Sequence, residues 1–127
     1  MSMLPPVFQT LLASPAVTAI VGSGLGARIY RHSSAPQDTT QPYITWFLVS
    51  GAPENTLSEL PSIDRMSIQV DCWSLSDQGI EDMATAVRDA IEPYAHMLSV
   101  PVDSQEPDTK LYRISLQFDW WQSRPGP

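Results

Sequence analysis

The sequence is short of cysteine, of basic residues and of long apolar runs, and each shortage removes a class of protein. Cys72 is the lone cysteine among 127 residues. One thiol supports neither an internal disulfide framework nor a multi-thiolate metal site. No apolar stretch approaches the roughly 18 residues that a membrane span requires. The opening Met1–Pro6 carries no basic segment of the kind that begins a secretory leader. The expected setting is the cytosol, or a particle assembled there. Seven Lys and Arg stand against fourteen Asp and Glu, a formal net charge of −7. The bases are scattered, so no patch is expected to neutralise neighbouring phosphates together, and tight nucleic-acid binding is not expected.

Catalytic vocabulary is also missing. There is no Gly-x-Ser-x-Gly elbow, no phosphate loop and no His-Glu-x-x-His. His32 and His96 have no ligand partner at zinc-site spacing, roughly two to five residues. The glycines of Gly22–Gly26 follow a helical segment and precede an extended one. A dinucleotide-binding turn needs the reverse order. Cys72 alternates with apolar neighbours and reads as a buried structural thiol. No catalytic, cofactor-binding or metal residue is assigned, and no enzyme is expected.

What is present is a globular composition, 43% hydrophobic and 17% charged. Leu4, Val7, Phe8, Leu11 and Leu12 recur at helical spacing. Ser14-Pro15 then reads as a helix cap followed by proline at the first helical position, opening a second short helix to Val21. Arg28–Tyr30 and Pro42–Val49 read as strands. Arg31–Gln41 reads as a loop, and Ser50–Ser62 as a long turn region. Arg65–Trp73 and Arg113–Trp121 alternate in the same way. Met66, Ile68, Val70 and Cys72 make one apolar face, and Ile114, Leu116, Phe118 and Trp120 the other. Between them Ile80, Met83, Ala84, Val87, Ile91 and Tyr94 form a helical stripe capped at Ser76 or Asp77. His96–Val102 is a further strand and Asp103–Thr109 its turn. The order α-α-β-β-β-α-β-β predicts an α+β fold, a mainly antiparallel sheet with helices packed on one face. A single domain is expected over residues 1–121, with a flexible tail at 122–127.

The faces opposite the apolar ones each read Arg, Ser, Gln, Asp, Trp. Antiparallel pairing would let Arg65 face Asp119 and Arg113 face Asp71. Trp73 and Trp121 close these polar faces, with Trp46 a third aromatic that could join them. Tryptophans outside the main apolar face anchor partner surfaces or tuck under their own chain. Leu57 and Leu60 stand among polar residues in the long turn region. Trp73, Trp121, Leu57, Leu60, Arg65 and Arg113 are the candidate contact residues.

These stretches resemble the tail-terminator family of long-tailed phages, also called tail-completion or head-to-tail joining proteins. The resemblance is carried by Ala16–Gly22 before Arg28–Tyr30, by Pro42-Tyr43, Val49–Gly51 and Arg65–Trp73, and by Ala86–Arg88 and Leu111–Phe118. It implies a structural virion protein that forms a homo-oligomeric ring, typically a hexamer, on the completed tail tube. The ring would contact the tail tube protein and a head-side connector or stopper, and DNA would pass through its lumen without specific binding. It implies a place at the head–tail junction of the virion after assembly in the host cytoplasm, and no membrane partner. Six copies at −7 would carry about −42, a surface that repels phosphate. The alternative is a small ligand- or protein-binding α+β module without catalytic activity, with its cleft between helix and sheet.

Overall fold

A computed structural model describes residues 3–32, 35–36, 39–53 and 63–123. Three α-helices and five strands follow in the expected order: α1 (Val7–Leu12), α2 (Pro15–Val21), β1 (Ile29–Arg31), β2 (Tyr43–Pro53), β3 (Ile63–Ser74), α3 (Asp77–Ile91), β4 (Ala95–Gln105) and β5 (Tyr112–Ser123). The strands form one sheet in the order β1-β2-β3-β5-β4. Every neighbouring pair is antiparallel except β1 with β2. The fold is α+β, with the helices on one face.

The helix ends are set by local chemistry. The Ser14 hydroxyl accepts from the Val17 amide at 3.3 Å, with Pro15 pre-set for the first turn of α2. Gly22 closes that helix at φ 91°, a backbone conformation that a side chain would strain. The Ser76 hydroxyl caps α3 by accepting from the Gly79 amide at 3.0 Å. Asp77 lies in the first turn and Arg88 in the last, each suited to its end of the helix dipole.

The core lies between helices and sheet. Ile80, Met83, Val87 and Ile91 of α3 join Ile68, Val70 and Cys72 of β3 and Leu116 and Phe118 of β5 in one buried cluster, to which α1 and α2 add Val7, Leu11, Val17 and Val21. Periodicity in the sequence anticipated this packing. Trp46 differs from expectation: it points into this cluster and is buried, because it shares a face with Ile44. Tyr94 leaves the helical stripe and lies exposed, stacked on Trp120 at 6.4 Å.

Strand ends also differ from the sequence reading. Residues 50–53 are strand, because β2 continues past a bulge at Leu48/Ser50 and pairs with β3 as far as Pro53↔Asp64. Gly51 sits so close to Met66 that a Cβ there would meet the Met66 sulfur at 2.6 Å. β4 runs on to Gln105. β5 passes Trp121, the expected domain end, and pairs Gln122 with Asp64 and Ser123 with Ile63. Leu57 and Leu60 lie outside the described residues.

Candidate assembly surface

The face of the sheet away from the helices carries alternate residues of β3 and β5, and its two ends differ. At one end a row of large side chains crosses the strands. Tyr30 meets Tyr43 edge-on at 6.3 Å, and Tyr43 stacks on Trp73 at 5.9 Å. The Arg113 guanidinium lies 5.0 Å over the Trp73 ring, an attraction between cation and ring quadrupole. The Trp73 indole N–H donates to the Thr45 hydroxyl at 3.0 Å. Burial beneath this row pushes the Tyr43 hydroxyl above its usual pKa. Trp73 is thus held by its own chain.

Under the row is a buried carboxylate. Asp71 is only 1% exposed. Its oxygens accept from Gln69 Nε2 at 2.9 Å, from Arg113 Nη2 at 3.2 Å and from the Ser115 hydroxyl. Arg113 reaches Glu106 as well, at 3.8 Å, while its Nε finds no hydrogen-bond partner among the described residues. The expected pairing of Arg113 with Asp71 forms, although diagonally: Asp71 sits opposite Ser115, and Arg113 opposite Trp73. Arg65 lies opposite Trp121 instead of Asp119, and Asp119 accepts the Ser67 hydroxyl. The alternation in the sequence fixed the shared face, but a register two residues away moved the partners.

The other end of the face is open. Trp121 is 47% exposed, and Ile63, half-exposed, lies diagonal to it across the β3–β5 ladder. Arg65 beside it is exposed. Trp73 and Trp121 therefore stand roughly 27 Å apart at ~3.4 Å per residue, on one face but at opposite ends.

Chemistry of other kinds finds little support. Cys72 is fully buried, and burial followed by the neighbouring Asp71 charge raises its thiol pKa far above the usual value, so the reactive thiolate is suppressed. His32 and His96 are exposed. No group of three or more metal-ligating side chains occurs among the described residues. The core fills the centre of the space between α3 and the sheet. At its flank a groove of about 510 Å³ opens to solvent between helix and sheet, lined by Glu81, Asp82 and Arg88 of α3, Met97 and Val100 of β4 and Ile114 and Leu116 of β5. No helix is long and apolar enough to cross a membrane among the described residues.

Comparison with known proteins bears on the family and the fold. Residues 5–123 match the family model of tail completion protein gp17. A chain from the virion of a native gene transfer agent particle superimposes with TM-score 0.67 at 16% identity, over 93% of this chain and 92% of that one. The gp17 protein of bacteriophage SPP1 gives TM-score 0.51 at 14% identity, over 94% and 88%. At such identities the likeness is one of fold. No curated protein matches the sequence.

Proposed function

The chain belongs to the tail completion protein gp17 family, structural proteins of the phage tail, and from that premise we propose that it closes the finished tail as a ring and joins tail to head. Its partners in this reading are further copies of itself, six in the ring, the tail tube protein below and a connector or stopper above. DNA passes through the lumen without specific contacts, as the net charge of −7 favours. The chain acts without catalysis, as one domain that runs at least to the end of β5 at Ser123.

The observation that carries the assembly reading is the half-exposed Trp121 at the open end of the helix-free sheet face. Among the candidate contact residues, Trp121 and Arg65 meet a neighbouring subunit or tail partner, joined by Leu57 and Leu60. Trp73 and Arg113 shape the surface from within. A tryptophan side chain presents about 150–250 Å², so covering the exposed half removes roughly 100 Å² from water, worth about 2–3 kcal/mol. Trp121→Ala should therefore weaken each contact by roughly 30- to 150-fold and reduce ring formation more than it reduces the stability of the monomer. Trp73→Ala should do the opposite, lowering the midpoint while the folded fraction still assembles. If Trp121→Ala keeps its native mass and still caps tails, this contact surface is wrong.

A further inference from the structure

The two borders of the sheet are unusually bare. β1 covers only Ile44–Trp46 of β2, so from Phe47 to Pro53 no strand pairs with the outer edge of β2 among the described residues. β4 forms the opposite border. Exposed edges are usually guarded by charge, lysine above all. Neither Tyr43–Pro53 nor Ala95–Val102 contains a charged residue. Four large apolar side chains are exposed on these borders: Leu48 and Val49 on β2, at 36% and 46%, and Leu98 and Val100 on β4, at 48% and 49%.

The ladders show that these two stretches lie at the same height. One row crosses the sheet as Leu48, Ile68, Phe118 and Met97, and the next as Phe47, Gln69, Gln117 and Ser99. Gly51, Met66, Trp120 and Ala95 form a third. Each border carries a bulge next to the first of these rows, at Leu48/Ser50 on one side of it on β2 and at Met97/Ser99 on the other side on β4. The polarity also fits. β2 and β5 both run against β3, and β4 runs against β5, so β4 is antiparallel to β2.

A closed ring relates neighbours by rotation without translation along the axis. Where strands run close to that axis, borders of equal height and opposite direction meet when one copy follows another. We infer that the ring closes by β-sheet addition between copies: the free edge of β2, Phe47–Gly51, pairs antiparallel with β4, Ala95–Val100, of the next copy. Backbone amides and carbonyls then bond across the seam, and Leu48 and Val49 pack with Leu98 and Val100. A second irregularity at Ser99/Val102 and the ring of Pro101 end the free part of β4 at the height where β1 begins on the neighbour.

This inference rests on the ring reading, and one experiment separates the two. The variant Val49→Cys/Leu98→Cys places thiols on both borders, while the native Cys72 is fully buried and silent. Mild oxidation should give a covalent ladder up to the full ring, and neither single variant should give one. Native mass of the unoxidised sample is measured in parallel. A ring that yields no ladder, and whose amides at 47–51 and 96–100 exchange as fast as in dilute monomer, overturns the edge pairing and leaves the ring standing. A monomer at every concentration without a ladder overturns both. As a second readout, Val49→Lys should dissociate the ring at least tenfold more readily, and adding Leu98→Glu should restore it. Two independent losses without rescue would count against the pairing.

Discussion

Removing Arg113 tests whether the helix-free face is organised around a buried ion pair. Asp71, 1% exposed, has one cation in contact, Arg113 at 3.2 Å. Deleting one member of a buried pair typically costs about 3–5 kcal/mol, because the remaining charge is left without compensation. Two effects reduce that here. Arg113 is itself a quarter exposed, so its truncation admits water, and Gln69 and Ser115 continue to donate to the carboxylate. Loss of the contact over Trp73 adds about 0.5–1 kcal/mol. Arg113→Ala should therefore cost about 2–3 kcal/mol in urea or guanidinium denaturation, with a shift in Trp fluorescence as Trp73 loses its cation. Asp71→Asn, and the double variant with Arg113→Ala, complete a cycle in which the double loss falls short of the sum by at least ~1 kcal/mol. A single-variant loss below ~1 kcal/mol, or strict additivity, would refute the reasoning.

Three further outcomes follow from burial and charge. Phe118 is fully buried among β3, β5 and α3, so Phe118→Ala should cost about 3–5 kcal/mol in chemical denaturation; a loss under ~1 kcal/mol would remove it from the core. The Cys72 thiol stays protonated in the folded chain while the unfolded thiol ionises near 9.0, so stability should fall as pH rises above that value. The contribution is about 1.4 kcal/mol per pH unit, and Cys72→Ala should lose that part of the slope; equal slopes in the two proteins would contradict the burial argument. The isolated protein should show no measurable binding to duplex DNA at about 150 mM salt in a mobility-shift assay, and micromolar or tighter binding would overturn that expectation.

Much of the fold was legible because it is written in local chemistry. The α3 stripe, the serine caps at Ser14 and Ser76 and the alternation of β3 and β5 each need only neighbouring residues. What the sequence left open is non-local. Arg65 and Asp119 share a face in any antiparallel pairing that puts the two apolar stripes on one side, but only the ladder register decides that Trp121 lies opposite Arg65. Asp71, Thr45 and Ser115 are polar strand residues, yet they are buried, because Trp73 and Arg113 fold over a face without helices. Trp46 looked like a surface aromatic until the parity of β2 placed it beside Ile44 in the core. The bare borders of β2 and β4 were invisible for the same reason. Their equal height and opposite direction follow from a strand order in which β5 enters between β3 and β4.

The most direct measurement of assembly is the native mass of the purified chain across a concentration series, with and without tail tube protein. Closed rotational assembly predicts one discrete multiple of the 14.1 kDa chain, six copies or about 85 kDa, stable over the upper part of the series. A 14.1 kDa monomer throughout, or an open-ended run of masses that grows with concentration, would contradict it.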